Sequence, residues 1–131
     1  MNQYDFNVRD FGAVGDDATD DTAAIQQAID AAGAVQGSVW FPAGHYRCGM
    51  LQLRDDTALA GAPTWSYRRF GGTVLRLNDA AAPCLLNLRG TIGARVSGLA
   101  LDGGKLGTEI HGIYLDGKGH QEEDTLEFGA Y

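Results

Sequence analysis

The chain has 131 residues, of which 44% are hydrophobic and 19 are glycines, and its formal net charge at pH 7 is -7. This length predicts a single domain, the negative charge argues against a nucleic-acid partner, and no apolar segment is long enough for a membrane-spanning helix. Met1 is followed by polar residues rather than by the charged and apolar regions of a secretory signal. Either a signal was removed or the protein stays inside the cell.

One short amphipathic helix is predicted over residues 20–32. Thr19 or Asp20 can accept hydrogen bonds from the free N–H groups of the first turn, and the acidic side chains at residues 20 and 21 suit the positive end of the helix dipole. Gly33 can adopt the left-handed conformation that ends a helix. A narrow apolar stripe recurs at helical spacing and predicts that the helix covers a hydrophobic surface: Ile25, Ala28, Ile29 and Ala32.

Short apolar runs follow the helix and predict β-strands at residues 39–41, 50–53, 73–77, 84–88, 96–101 and 113–115. A β-sandwich would give similar strands, but it would not explain connections too long for hairpins or the absence of Asn-Gly turns. The pattern therefore favours an all-β solenoid. Comparable positions return after roughly 20 to 28 residues, a spacing typical of solenoid coils: Val39 to Leu59, Val74 to Val96, and Leu85 to Ile113.

The side chains that often bind metals give no metal-site pattern. Four aspartates crowd residues 16–21, but the glycine and the glutamate of a Ca²⁺-binding loop are missing, so capping explains them better. Cys48 and Cys84 could meet on adjacent coils, although two cysteines in a chain with this much core are more often small buried residues than a disulfide. No CxxC, HExxH or histidine-rich cluster indicates a metal, and no cofactor is evident.

A candidate substrate-binding loop occupies residues 61–72, within a segment, residues 36–95, that carries seven arginines against three aspartates. Its three aromatic residues and two arginines suit stacking on sugar rings and pairing with sugar carboxylates. The alternatives are that the arginines only discourage edge-to-edge aggregation, and that the aromatic side chains pack on the flank of the fold or on a neighbouring subunit. The candidate binding residues are Trp65, Tyr67, Arg68 and Arg69.

The candidate catalytic residues lie in the last third of the sequence. A pair of carboxylates about 5 to 10 Å apart is the minimal equipment for glycoside cleavage, and adjacent coils could bring such a pair together. Exposed acids at coil turns are the alternative interpretation. The candidates are Asp102, Glu109, His111 and Asp116.

Five runs of sequence resemble the pectate-lyase-like superfamily of right-handed parallel β-helix proteins: FNVRDFGAVGDDATDDTAAIQQAIDAA, GSVWFPAGHY, LQLRDDTALAG, VSGLALDG and HGIYLDG. The resemblance implies an all-β fold, a right-handed parallel β-helix (solenoid) whose open end is capped by one N-terminal α-helix. In this single domain, residues 1–35 would form the cap segment and residues 36–131 the first coils, incomplete at the C-terminal end. The implied partner is a polysaccharide or oligosaccharide, and members of the superfamily are often secreted.

The resemblance also implies polysaccharide lyase or glycoside hydrolase chemistry, with Ca²⁺ expected if the chemistry is that of a lyase. The motifs of polygalacturonases are incomplete, since only His111-Gly112 matches, so this chain alone is expected to be inactive. Difructose-anhydride-forming fructotransferases share similar segments at residues 42–46 and 101–103 and carry catalytic carboxylates at subunit contacts, which makes Asp102 and Glu109 candidates. The rival class is a non-catalytic, tailspike-type β-helix that binds glycans or assembles subunits.

A further strand is predicted at residues 125–131, where polar and apolar side chains alternate. Nothing follows to cover Leu126 and Phe128, although repeat proteins usually shield such ends. We therefore expect either a truncated piece of a longer protein or a homo-oligomer that hides the open β-helix end or its flank against another subunit.

Overall fold

The computed structural model describes residues 5–63, 71–107 and 109–115. Within these ranges the α-helix, α1, spans Thr22–Val35 and a 3₁₀ helix spans Val8–Phe11. No helix in the described ranges is long and apolar enough to cross a membrane. The strands are β1 Asp5–Asn7, β2 Asp16–Asp20, β3 Ser38–Phe41, β4 Gly44–Cys48, β5 Leu51–Gln52, β6 Ala58–Gly61, β7 Thr73–Leu77, β8 Cys84–Asn87, β9 Arg95–Ser97, β10 Leu99–Asp102 and β11 His111–Tyr114.

These strands form three parallel sheets. Sheet A has the order β1-β3-β6-β9, sheet B the order β10-β7-β4-β2, and sheet C the order β11-β8-β5. Consecutive strands visit A, B and C in turn, so β3 to β5, β6 to β8 and β9 to β11 each make one circuit, which we call a coil. The expected mostly-β architecture with parallel sheets and one helix is confirmed, and its stacked coils fit a parallel β-helix.

Register between coils shows which of the expected repeats are equivalent. Val39 lies opposite Leu59, as predicted, and Leu59 lies opposite Val96. The predicted equivalence of Val74 and Val96 is wrong, because Val74 pairs with Ala100 in sheet B. The apolar run at residues 96–101 is split between two sheets by Gly98, whose φ is +70° and whose space is limited by the Gly61 carbonyl.

The helix closes one end of the stacked coils. The predicted apolar stripe is confirmed, since its four residues have no exposed surface, and α1 contacts β1, β3, β5 and the 3₁₀ helix. The stripe joins a core of inward-facing strand residues that runs through the successive coils. Burial of this stripe, rather than intrinsic propensity, therefore stabilises a helix of this length. The buried stripe is Ile25, Ala28, Ile29 and Ala32, and large residues of the same core include Phe41, Leu51, Leu59, Leu75 and Leu86.

The helix boundaries differ from the predicted ones at both ends. The helix begins at Thr22 rather than at residue 20, and Asp20 accepts a hydrogen bond from Thr22 N at 3.1 Å. At the other end the helix continues through Gly33, and the left-handed residue is Gln36 with φ 55°. Gly33 serves a different need, because a Cβ at this position would lie 2.6 Å from Cγ of Arg54, whose guanidinium pairs with Asp30 at 2.8 Å. Close approach of a neighbouring coil therefore explains this glycine.

The side-chain amide of Gln26 on α1 makes the hydrogen bonds that a further strand beside β5 would make. Gln26 Nε2 donates to Gln52 O at 2.9 Å, and Gln52 N donates to Gln26 Oε1 at 2.9 Å. On the next coil, Asn87 Nδ2 donates to Gln52 Oε1 at 2.8 Å. The helix thereby satisfies the edge of sheet C, which would otherwise present unpaired backbone groups.

The aspartates before α1 mainly organise turns, whereas the sequence interpretation assigned them to helix capping: of the four, Asp20 bonds to the first helical residue, and the N-cap residue Asp21 makes no side-chain capping bond. Asp21 is 1% exposed and accepts hydrogen bonds from Val14 N and Gly15 N at 2.9 Å each. Asp16 accepts bonds from the backbone of Thr19 and Ala18, and these hydrogen bonds lower the pKa of its carboxyl group. Carboxylates that accept several backbone N–H groups hold a turn in one conformation.

Arg76 clamps strands from three coils, an arrangement the sequence did not reveal. Its Nε atom lies 2.8 Å from Asp102 Oδ2 on β10, and its Nη1 atom pairs with the carboxylate of Asp17 on β2. The hydrogen bond with Asp102 raises the pKa of Arg76. Burial raises the pKa of Asp102, but hydrogen bonds from Gly104 N and from Arg76 outweigh burial and hold that pKa below its ordinary value.

The cap can be tested with Ile29→Asp. This substitution places an unpaired carboxylate where no surface is exposed, so we expect the free energy of unfolding to fall by at least about 3 kcal/mol. The control is Gln27→Asp, which adds the same charge on the exposed side of the helix and should change little. Urea unfolding followed by circular dichroism compares the two, and equal small effects would contradict the cap.

The clamp can be tested with Arg76→Met. We expect a loss of about 1–2 kcal/mol at neutral pH, because the partly buried Asp102 loses its partner whereas Asp17 is more exposed. Since the pKa of Asp102 is lowered in the folded state, its contribution is present above the ordinary aspartate range and is lost as pH falls through the folded pKa. The difference in unfolding free energy between wild type and variant should therefore become smaller in acid.

Arg47→Met is the matched control for this experiment, because Arg47 lies directly opposite Arg76 in sheet B. No ion pair joins Arg47 to another residue in the described part of the chain. Thermal melts at several pH values would contradict the clamp if both variants lost the same stability at every pH.

Candidate functional site

The candidate site is an open groove of about 380 Å³ along sheet C. It contains two of the four predicted catalytic residues, Glu109 and His111. Strands β8 and β11, from successive coils, supply half of its eight lining residues. The groove is lined by Met50, Pro83, Cys84, Asn87, Arg89, Glu109, His111 and Tyr114.

Backbone pairing fixes the side chains of this groove in place. His111 lies opposite Cys84 and Tyr114 lies opposite Asn87 in the parallel register of β11 and β8. Hydrogen bonds at both ends of the pairing, His111 N to Pro83 O at 3.0 Å and Leu88 N to Tyr114 O at 2.8 Å, hold that register. Two rigid strands therefore determine the spacing of the groove residues.

Two aromatic rings form part of the groove wall. The rings of His111 and Tyr114 lie 5.8 Å apart with a tilt of 44°. Tyr114 is 37% exposed, so one side of the ring is open to a ligand. An exposed aromatic ring beside an imidazole can stack on a sugar ring while the polar atoms bind hydroxyl groups.

The polar groups of the groove offer hydrogen bonding, charge and proton transfer. Asn87 is oriented by Gln52, and its Oδ1 atom accepts a hydrogen bond from Arg89 N at 3.1 Å. The Arg89 guanidinium can pair with a carboxylate, and Glu109 and His111 are side chains that commonly transfer protons. The arrangement therefore suits an acidic, hydroxyl-rich ligand.

The cysteines contribute no nucleophile. Cys48 and Cys84 are free and buried, as predicted. Burial raises the pKa of Cys48 to about 12 and also raises the pKa of Cys84 in the groove wall. Both side chains are therefore protonated thiols near neutral pH.

The other predicted site residues are not brought into this groove by the described structure. Asp102 lies on β10 in sheet B, where its carboxylate is bound to Arg76 and to Gly104 N. Asp116 lies outside the described residues, and so do the four predicted binding residues Trp65, Tyr67, Arg68 and Arg69. The predicted strand at residues 125–131 also lies outside them. These assignments stay predictions.

Sequence reasoning missed the groove residues that depend on register. Asn87 and Tyr114 are far apart in sequence, and only the pairing of β8 with β11 shows that they are neighbours. The sequence signal for this pairing was the repeat between the apolar runs at residues 84–88 and 113–115. The sequence interpretation aligned Ile113 with Leu85, one residue away from its observed partner, Leu86.

A second cavity of about 420 Å³ is a weaker candidate. Its carboxylates are already engaged, Asp16 by the backbone of residues 18 and 19 and Asp17 by Arg76. His45 Nε2 is buried and has no hydrogen-bond partner among the described residues. The lining is Gly15, Asp16, Asp17, Ala43, Gly44, His45, Gly71 and Gly72.

Metal binding has no candidate cluster in the described ranges. No group of three or more His, Cys, Asp or Glu side chains within residues 5–63, 71–107 and 109–115 is placed to hold a metal ion. The expectation of Ca²⁺ for a lyase-like member therefore stays a prediction.

Sequence comparison gives a family and two informative relatives. The profile of a family described as rhamnogalacturonase A/epimerase, pectate lyase-like, matches residues 6–69. The chain is 38% identical to mannuronan C5-epimerase AlgE4 of Azotobacter vinelandii over 94% of its own length. It is 37% identical to alginate lyase 7 of the same organism over 84% of its own length.

Structure comparison agrees with the sequence. The A-module of mannuronan C-5 epimerase AlgE6 from Azotobacter vinelandii matches with a TM-score of 0.70 and 34% identity, over 84% of this chain and 32% of that one. The chain spans 25% of the length of AlgE4 and 14% of the length of alginate lyase 7. Because the family profile, the sequence identities and the stacked parallel strands agree, the chain belongs to the pectate-lyase-like superfamily.

Proposed function

We propose that this chain forms the cap and first coils of a right-handed parallel β-helix protein that acts on an acidic polysaccharide of the alginate type. The observation that carries the proposal is the groove along sheet C, which combines a guanidinium, two rings and two proton-transfer groups. The relatives named above support the ligand class, since their names specify mannuronan and alginate.

The groove is suited to a chain of uronate sugars. Tyr114 and His111 would stack on the apolar face of a pyranose ring, and Arg89 would pair with its carboxylate. Asn87, oriented by Gln52, would hydrogen bond to a ring hydroxyl. Because the lining comes from successive coils, further coils would lengthen the groove along the stacking direction and hold further sugars.

The proposed chemistry begins with proton removal beside a carboxylate. Epimerisation at C5 of a uronate and lyase cleavage of its glycosidic bond both require loss of the proton on C5, and a cation beside the carboxylate favours that loss. Glu109 and His111 are the groove residues that could exchange this proton. We keep Asp116 as a candidate in this role, whereas the hydrogen bonds of Asp102 favour a structural role.

Two further expectations belong to the same proposal. The loop residues Trp65, Tyr67, Arg68 and Arg69 would give a second aromatic and basic contact for the polymer. Ca²⁺ would be required if the reaction is that of a lyase, and a chelator would then abolish product formation without unfolding the protein.

A glycan-binding segment without catalysis is the rival proposal. It is favoured by the engagement of Asp102 with Arg76, which leaves one carboxylate, Glu109, in the groove lining. The fructotransferase-like alternative needs a second carboxylate from a neighbouring subunit at the same place. Product analysis separates these proposals, because an epimerase changes the sugar, a lyase forms unsaturated ends, a fructotransferase-like enzyme forms a difructose anhydride, and a binder forms none of these products.

The groove can be tested with Tyr114→Ala. We expect the Kd for mannuronate oligomers to rise about tenfold, because loss of one stacking ring removes roughly 1.4 kcal/mol of binding free energy. The melting temperature should change little, since Tyr114 is 37% exposed. Isothermal titration calorimetry measures the Kd, and differential scanning calorimetry measures the stability.

Leu106→Ala is the matched control, since Leu106 has the same 37% exposure and lies on the same coil outside the groove. The proposal predicts unchanged binding for this control. Wild-type protein that does not bind mannuronate oligomers, or a Tyr114→Ala variant that binds as tightly as Leu106→Ala, would contradict it.

A further inference from the structure

Sheet A carries an exposed tryptophan that neither the core nor the groove uses. Trp40 is 41% exposed, whereas its neighbours Val39 and Phe41 on β3 have no exposed surface. Side chains alternate across a strand, so the indole points away from the core. Its side chain makes no ring contact, cation–π contact or hydrogen bond with another residue of the described ranges.

The surface around Trp40 is flat. Its register neighbours on sheet A have short side chains, and the next outward row along the strands has short side chains on β1, β3 and β6 and ends in Arg95 on β9. On β1 and β6, the strands that flank β3, no bulky side chain in these rows covers the indole ring, so an approaching ring can lie against it. The neighbours are Asn7, Ala60 and Ser97 in the row of Trp40, and Asp5, Ser38, Ala58 and Arg95 in the next row.

A cation lies on the same face. Arg95 on β9 is exposed and occupies the next outward row, paired in register with Ala58. From the usual strand spacing, its Cα lies about 12 Å from that of Trp40, a span that a short oligosaccharide covers. No ion pair joins Arg95 to another residue in the part of the chain that the structure describes.

We propose that the outer face of sheet A is a second binding site, specific for an acidic oligosaccharide. Trp40 stacks on one pyranose ring, and Arg95 pairs with the carboxylate of a sugar further along the chain. The side chains of Asn7 and Ser97, in the row of Trp40, hydrogen bond to hydroxyl groups. This site lies on a different sheet from the groove and binds independently of it.

The shape of the surface favours a glycan over a protein partner. A stable protein interface buries about 800 Å² on each side and has an apolar centre. This face offers one aromatic ring among short and polar side chains, with the guanidinium of Arg95 on one edge strand, β9, and the carboxylate of Asp5 on the opposite one, β1. A single ring, a few hydroxyl partners and one cation match a charged sugar chain instead.

Indole resonances make the site directly observable. The chain has two tryptophans, so its ¹H–¹⁵N spectrum contains two indole N–H signals, and Trp65→Phe identifies the signal of Trp40. Titration with mannuronate oligomers should shift the Trp40 signal. A neutral cello-oligosaccharide of equal length should shift it at higher concentration, because it lacks the carboxylate for Arg95.

Three variants test the assignment by calorimetry in a Tyr114→Ala background, which weakens the groove. Trp40→Ala should raise the Kd of this site about tenfold, and Trp40→Phe should raise it less while keeping a ring on the strand. Arg95→Gln should weaken binding of the acidic oligomer but not of the neutral one. Arg47→Gln, which removes the same charge from sheet B, should leave both affinities unchanged.

Several results would overturn this inference. A Trp40 signal that does not move, or equal affinity of Trp40→Ala and wild type at this site, would show that the ring does not bind sugar. Sedimentation that reveals a dimer lost in Trp40→Ala would assign the face to a second copy of the chain. Loss of groove binding alone would contradict the proposed function and leave this site standing.

Discussion

The hydrogen-bonded ladder between successive coils is the interaction on which the rest of the structure depends. Each parallel strand has donors and acceptors on both of its edges, so a coil is satisfied only when something pairs with it on each side. At the cap, Gln26 supplies that pairing to Gln52 of β5, while Ile25 and Ile29 seal the core beneath. The helix therefore covers the apolar core of the first coil and also hydrogen bonds to the backbone of its edge strand.

The same ladder determines where functional side chains can lie. Tyr114 and His111 stand opposite Asn87 and Cys84 because β11 and β8 are in register, and Trp40 is separated from Arg95 by the strand between them. Rigid spacing of this kind agrees with the linear polymer proposed as the ligand, since its repeating units could meet repeating positions. The two proposed binding surfaces, the groove on sheet C and the face of sheet A, lie on different sheets with this spacing.

Periodicity predicted features that depend on burial, namely the stripe of α1 and the equivalence of Val39 with Leu59. Prediction from periodicity failed where backbone pairing between strands, rather than the side-chain pattern, determines the structure. Strand β2 is polar and mostly exposed, and it is a strand because it pairs with β4. Arg76 reaches partners 59 and 26 residues away, a relation that only the register of the coils reveals. Glu109 and His111 were predicted from residue type and stay candidates, whereas the position of Tyr114 beside Asn87 required that register.

Hydrogen exchange at the Gln52 amide tests whether the helix pairs with the edge of sheet C in place of a strand. This N–H lies at that edge, and its partner is Gln26 Oε1. With the helix acting as the terminal strand, this amide should be protected as strongly as neighbouring core amides. In Gln26→Ala the protection of Gln52 should fall by at least about tenfold, while α1 amides keep theirs. Rapid exchange of Gln52 in the wild type, or unchanged protection in the variant, would show that Gln26 does not take the place of a strand at this edge.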